Sequence, residues 1–242
     1  VIIPEPCYVS YKPCAVLAGA TPVTVETFEE DDFKLKPSQI REKITPKTKA
    51  IVLSFPSNPT GAIMPKEDLE EIARIAVSYD LFVISDEIYS ELTYSGKHVS
   101  IASFPGMKNR TIVVNGFSKA FAMTGWRIGF AAGPADVIGA MVKIHQYTIL
   151  CAPIMSQMAA IEALRNSNGE VEKMVNQYNQ RRRFVVSRLR EIGLNCFEPQ
   201  GAFYAFPSIK VTGMTSEDFC QALLEKEKVA VVPGNAFGQA GE

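Results

Sequence analysis

Ala50-Ile-Val-Leu-Ser54, Phe55-Pro-Ser-Asn-Pro-Thr-Gly61, Lys66 to Tyr79 and Leu81-Phe-Val-Ile-Ser85 follow one another as an apolar run, a stretch dense in turn formers, an amphipathic segment and a second apolar run. The amphipathic segment carries Leu69, Ile72, Ala73, Ala76 and Val77 at helical spacing, so the order is strand, turn, helix, strand. That order predicts an α/β fold. The polar continuation Asp86-Glu-Ile-Tyr89 then falls at the C-terminal end of a buried strand, the edge at which ligands bind in open α/β sheets.

Working outward, Val1-Ile-Ile3 is a short strand closed by Pro4 and Pro6, Tyr8 to Ala18 a short helix, Pro22 to Glu26 an alternating strand, and Pro37 to Lys43 a helix. Downstream, Thr111 to Val114 is a strand and Arg127 to Ala132 another, with helices over Pro134 to Gln146 and Pro153 to Leu164. Between those strands lies Asn115-Gly-Phe-Ser-Lys-Ala-Phe-Ala-Met-Thr-Gly-Trp-Arg-Ile-Gly129. Lys119 sits there just past a strand end, where loss of water favours the neutral amine and makes it a candidate Schiff-base nucleophile. The first domain is expected to close at residue 168, with 169–242 holding an interdomain helix and part of a smaller α+β domain. In that second part a long helix from about Glu170 to Ile192 is expected to bury Phe184, Val185 and Leu189, to leave Arg181-Arg-Arg183 in solvent and to end on Gly193. Strands are expected at Cys196-Phe197, Ala202 to Phe206 and Val229 to Val232, with a capped helix starting after Thr215-Ser-Glu-Asp218.

Apolar residues make up 47% and charged residues 21% of the 242 positions, an ordinary globular composition that argues against disorder or a fibrous repeat. A net charge of −1 gives no reason to expect a nucleic-acid partner. No apolar run approaches the ~18 residues a membrane span requires, and the expectation is a soluble, cytoplasmic protein. Five scattered cysteines without a C-x-x-C pair read as reduced core residues. His98 and His145 lie far apart and have no carboxylate at metal-ligand spacing, so no metal is expected and the catalytic load falls on other residues.

Phe55-Pro-Ser-Asn-Pro-Thr-Gly61, Ser85-Asp-Glu-Ile-Tyr89 and Gly116-Phe-Ser-Lys-Ala-Phe-Ala-Met-Thr-Gly-Trp-Arg-Ile-Gly129, in this order, resemble the marks of class I/II aminotransferases, pyridoxal-phosphate enzymes of fold type I. The likeness extends from Pro4-Glu-Pro-Cys-Tyr-Val-Ser-Tyr11 through Pro199-Gln-Gly-Ala-Phe-Tyr204 to Val232-Pro-Gly-Asn-Ala-Phe-Gly238. It implies a mostly parallel sheet in an α/β/α sandwich for the large domain, with pyridoxal 5′-phosphate as cofactor. Lys119 would be the lysine that carries the cofactor and moves the substrate proton, a role typically worth ~10²–10⁴-fold in rate. Asp86 would pair with the protonated pyridine nitrogen. Asn58 and Tyr89 would hydrogen-bond the ring oxygen, Ser118 and Arg127 would hold the phosphate, and Tyr8 would stack on the ring.

Met123-Thr-Gly-Trp-Arg127 resembles the bacterial and archaeal subgroup acting on aspartate or aromatic amino acids. The implied reaction moves an amino group from an L-amino acid to a 2-oxo acid such as 2-oxoglutarate, in a homodimer with shared active sites. A C–S β-lyase of the same fold and a catalytically silent regulatory domain are the alternatives. Gly116 departs from the pattern, since many relatives carry a serine there. The chain also reads as an internal segment: the glycine-containing phosphate loop would precede Val1 and the arginine for the substrate carboxylate would follow Glu242, so the segment alone is expected to be a poor enzyme.

Overall fold

The computed structural model describes residues 1–242, the side chain of Asn168 apart. Its centre is a six-stranded sheet of β1 (Ile2–Glu5), β2 (Val23–Glu26), β3 (Ala50–Ser54), β4 (Phe82–Asp86), β5 (Thr111–Gly116) and β6 (Gly129–Ala132), in the spatial order β2-β1-β3-β4-β5-β6. Pairing is parallel from β2 through β5, and β6 runs antiparallel to β5. Parallel neighbours need a long crossover; the chain supplies three through α1 (Tyr11–Leu17), α2 (Pro37–Lys43) and α3 (Lys66–Ser78), and the step from β4 to β5 runs through a loop with one 3-10 turn, Ile101–Ser103. The expected α/β architecture with a mostly parallel sheet is the observed one.

Burial follows the strand alternation. Ile51, Leu53 and Val83 face α2 and α3, where Ile40, Leu69, Ile72, Ala73 and Ala76 complete the main core. On the opposite face α1 covers only part of the sheet, packing Tyr11 and Ala15 against Ile3 and Val52. Further along that face Phe82, Ile84 and Val114 are exposed, so β4 is not the strand buried on both faces that its apolar run predicts. After β6 come α4 (Ala135–Thr148), which buries none of its residues, and α5 (Ile154–Asn166), whose Ala160 and Ala163 pack on Phe117 and Met123.

The long helix α6 (Asn168–Glu191) ends as predicted. Gly193, at φ +88, donates to Arg190 O, and Leu194 N donates to Leu189 O at 2.9 Å, a Schellman closure that a left-handed glycine makes without steric cost. Its buried face is different from the prediction. Val171 and Val186 are buried while Phe184 and Val185 are exposed, because the stripe runs 171, 175, 178, 182, 186, 189 at helical spacing. Arg182 lies on that stripe, so the charge run is not uniformly solvated. Its side chain, 13% exposed, pairs with Glu198 at 2.9 Å and donates to Pro199 O at 2.8 Å.

Beyond α6 the expected strands do not form. Cys196 and Gly201 make isolated bridges to Pro207 and Thr93. Residues 202–206 and 229–232 pair with no strand among the described residues, and Val229, Val231 and Val232 are exposed. A β-branched run becomes a strand only where a neighbour offers a ladder. The helix after Thr215 is α7 (Ser216–Glu227), with the Thr215 hydroxyl accepting from Asp218 N, as its cap residue predicts.

Residues 199–201 are fastened to the turn after β3. Gly61 O accepts from both Gln200 N and Gly201 N at 2.9 Å. At φ +73, a Cβ on Gly61 would stand 2.4 Å from Pro199 Cβ and 2.8 Å from Gly201 O. Left-handed backbone costs a non-glycine residue ~1–2 kcal/mol before any clash. Gly61→Ala is therefore expected to destabilise by about 2 kcal/mol or more, a fall of roughly 4–8 °C in Tm by calorimetry. An unchanged Tm contradicts this reading of the turn.

Candidate active site

Parallel register sets Ser54 beside Asp86 and Asp86 beside Val114, so the C-terminal ends of β3, β4 and β5 share one edge with the end of β1. Two adjacent acids leave β4 there on opposite faces. Glu87 is consumed by structure: buried, it accepts from Ser85 Oγ at 3.0 Å and Ser100 Oγ at 2.7 Å, and its other oxygen lies 3.0 Å from His98 Nε2. Burial alone would raise this carboxyl's pKa, but the adjacent His98 and the hydrogen bonds from Ser100 and Ser85 outweigh it and hold the pKa below the usual value. Asp86, half-buried on the α1 side, is the acid left facing the crevice.

Asp86 is held at both oxygens. Oδ1 accepts from Ile88 N at 3.1 Å, and Oδ2 accepts from the Tyr11 hydroxyl at 2.7 Å. With its one proton given to the carboxylate, Tyr11 keeps its lone pairs for the Ser54 hydroxyl, 2.9 Å away. Burial, then the neighbouring Asp86 charge, pushes the Tyr11 pKa well above that of an ordinary phenol, so it stays a donor throughout the physiological range. Tyr8, three residues earlier, is 43% exposed and stands edge-on to Tyr11 with ring centres 5.6 Å apart.

Tyr89 follows Asp86 by three residues, and its hydroxyl is bonded to that of Tyr204, either group supplying the proton. Burial raises the Tyr89 pKa strongly. Lys119, in the turn after β5, is half-buried, with Nζ 5.9 Å from the Tyr89 ring centre and 5.3 Å from that of Phe203. Among the described residues its amine makes no ion pair and no side-chain hydrogen bond. The aromatic faces hold it without occupying it.

Arg127 comes back to this turn because Gly116 pairs with Gly129 across β5 and β6 and Phe117 N donates to Ile128 O at 3.3 Å. It is exposed and left-handed at φ +51, with Nη1 donating to Thr124 O at 3.0 Å. The close approach also explains the departure at Gly116. A Cβ there would meet Gly129 Cα at 3.1 Å and Ile128 O at 3.2 Å. Asn58 Oδ1 is buried without a hydrogen-bond partner, an acceptor that only a donor group can satisfy.

The structure thus brings Tyr8, Asp86, Tyr89 and Lys119 to one strand edge. It records no hydrogen bond from Asn58, Ser118 or Arg127 to that group. Sequence reasoning missed Tyr11, Phe203 and Tyr204. Tyr11 was within reach, since three residues from Tyr8 on a helical turn is the same face. Phe203 and Tyr204 arrive through Ala202 N donating to Leu92 O at 2.8 Å and Tyr94 N to Gln200 O at 2.9 Å, contacts no local pattern encodes.

These residues fit pyridoxal phosphate: a carboxylate for a cationic ring nitrogen, an uncommitted amine for an aldehyde, an exposed ring to stack and an exposed guanidinium for a phosphate. The family model "Aminotransferase class I and II" matches residues 1–241. The chain is 56% identical to the aminotransferase-named protein YugH of Bacillus subtilis over 242 residues, covering 100% of this chain and 63% of the relative. It is 52% identical to an aspartate aminotransferase of Pyrococcus abyssi over 245 residues, again 100% of this chain and 63% of the relative. The crystal structure of an aromatic aminotransferase from Pyrococcus horikoshii OT3 matches with a TM-score of 0.97 at 50% identity, over 99% of this chain and 65% of that one. The chain therefore spans less than two thirds of the length of these relatives.

Loss of one hydrogen bond to a charged group costs ~1.5–3 kcal/mol. In the whole protein, Tyr11→Phe is expected to weaken pyridoxal phosphate binding by about tenfold when cofactor is titrated into apoprotein. An unchanged Kd means that Tyr11 does not set Asp86 for the cofactor.

Proposed function

Because this chain belongs to the class I and II aminotransferase family, we propose that the whole protein is a pyridoxal-phosphate-dependent transaminase. It moves an amino group between aspartate or an aromatic L-amino acid and a 2-oxo acid such as 2-oxoglutarate. The observation that carries this reading is the uncommitted Lys119 amine beside Tyr89, on the same edge as an Asp86 fixed by Tyr11. Relatives named aspartate aminotransferase and aromatic-amino-acid aminotransferase 2, at 52% and 50% identity, support the substrate classes.

When bound, pyridoxal phosphate supplies an aldehyde for amine exchange and a ring that withdraws electrons from the substrate's Cα. The chain's residues do the rest. Lys119 Nζ would hold the cofactor, and its amine would accept the proton that leaves the substrate Cα and deliver it to the cofactor side. The Asp86 carboxylate would keep the ring nitrogen protonated. With Tyr204 donating to Tyr89, the Tyr89 proton would be free for the ring oxygen, to which the Asn58 side-chain N–H would also donate. Ser118 and Arg127 would hold the phosphate, and Tyr8 would stack on the ring.

We assign 1–168 to the cofactor domain and 169–242 to the interdomain helix with part of the small domain. We further assign the whole protein to a homodimer in the cytoplasm, acting without a nucleic-acid partner. Exposed Ile144, Tyr147, Ile149, Leu150 and Ile154 support a self-associating surface. The five cysteines are free, as suits a reducing compartment, but only Cys7 and Cys196 are the core residues expected, since Cys14 and Cys151 are exposed and Cys220 is half-buried. No helix among the described residues is long and apolar enough to cross a membrane.

With aspartate or phenylalanine as donor and 2-oxoglutarate as acceptor, the whole protein is expected to form glutamate with the parallel initial-rate lines of a ping-pong mechanism. Lys119→Ala is expected to lower kcat at least ~10²-fold. Release of pyruvate and ammonia from cysteine without glutamate formation would make the protein a lyase instead.

A further inference from the structure

Glu5 is a carboxylate at the end of β1, 1% exposed, and nothing in the transamination chemistry uses it. A charge buried this far is tolerated only when it is fully partnered. Its two oxygens are divided between two parts of the molecule. Oε1 pairs with Lys12 Nζ at 2.7 Å, on the first turn of α1 and next in sequence to Tyr11. Oε2 accepts from Gln239 N at 3.2 Å.

Gln239 belongs to a clasp formed by residues 234–242. Two short turns, Gly234–Phe237 and Gln239–Gly241, fold back until the backbones of Gly234 and Gly241 touch, so that a Cβ on Gly234 would lie 1.8 Å from Gly241 O. One side of the clasp is fixed to α7, where Glu242 accepts from Ser216 N at 2.8 Å and Asn235 Nδ2 donates to Glu217 at 2.9 Å. The other side rests on Glu5. Gly238, at φ +119, lies so close that a Cβ would stand 2.4 Å from Glu5 Cδ. Phe237 O accepts from Cys7 N at 2.9 Å, in the segment that leads directly into Tyr8.

We propose that Glu5 is a positioning residue that locks the clasp of residues 234–242 to the Tyr8–Tyr11 wall of the site. One oxygen holds α1, and through it the tyrosine that fixes Asp86; the other holds the clasp, which in turn holds the backbone before Tyr8. The α7 unit and the cofactor wall then move as one body. This rests on the reading of Tyr8 and Asp86 as cofactor contacts, and the test separates the two.

The experiment is hydrogen exchange by mass spectrometry on the whole apoprotein, paired with titration of pyridoxal phosphate followed by the visible absorbance of the lysine-bound cofactor. Glu5→Ala is expected to speed amide exchange in 235–241 and at Cys7 at least tenfold, to leave α3 unchanged, and to raise the cofactor Kd about tenfold. Glu5→Gln, which keeps an acceptor for Gln239 but gives up the charge facing Lys12, is expected to restore most of the exchange protection and part of the affinity. If Glu5→Ala fails to fold, Gly238→Ala displaces the clasp from Glu5 with the same two expectations. Unchanged exchange in 235–241 overturns the latch. Faster exchange with an unchanged Kd overturns the positioning role and leaves a structural contact. A wild-type protein that develops no lysine-bound absorbance at all refutes the cofactor reading itself.

Discussion

The parallel register that lines up Ser54, Asp86 and Val114 puts successive strand ends on one edge, and every group of the site is placed relative to that edge. Each parallel step needs a crossover that returns the chain to the far side of the sheet. The segments leaving the C-terminal ends therefore gather on one rim: Pro6 to Tyr11 after β1, Phe55 to Gly61 after β3, Glu87 to Tyr89 after β4, and Phe117 to Lys119 after β5. β6 alone runs backwards, and that reversal returns Arg127 to the turn holding Lys119. A six-stranded sheet thus concentrates chemistry that the sequence spreads over more than a hundred residues.

Glu5, Asp86 and Glu87 stand at this rim, and their surroundings separate their roles. Glu5 and Glu87 are buried, and both carboxylates are committed to partners on neighbouring segments. Each fastens a loop to the sheet, and neither has an oxygen to spare for a ligand. Asp86 is half-buried and oriented by one phenol and one backbone amide. A carboxylate fixed in direction but still reachable is what electrostatic support of a bound cation requires. Lys119 shows the same combination, held between aromatic rings with its amine uncommitted among the described residues.

The rim was legible in the sequence because short apolar runs followed by Ser-Asp-Glu-Ile-Tyr or Gly-Phe-Ser-Lys mark strand ends whatever packs on them. Gly193 was legible for a local reason, since a left-handed residue closing a helix is nearly always glycine. What failed depended on distant partners. Phe184 and Val185 were assigned to the core by hydrophobicity, while the buried stripe of α6 is set by where Tyr94 and residues 199–205 meet the helix, and that places Arg182 inside. Val229 to Val232 had strand composition but no strand beside it. Tyr204 reaches Tyr89 across 115 residues of chain, a separation at which no periodicity carries information.

The claim on which the rest stands is that Lys119 is the residue that holds the cofactor. The most direct measurement is to load the whole protein with pyridoxal phosphate, reduce it with borohydride and map the modified peptide by mass spectrometry. The account predicts stoichiometric labelling of Lys119 alone, abolished by Lys119→Ala. Labelling of a different lysine at comparable stoichiometry, or undiminished labelling of the Lys119→Ala protein, would contradict it.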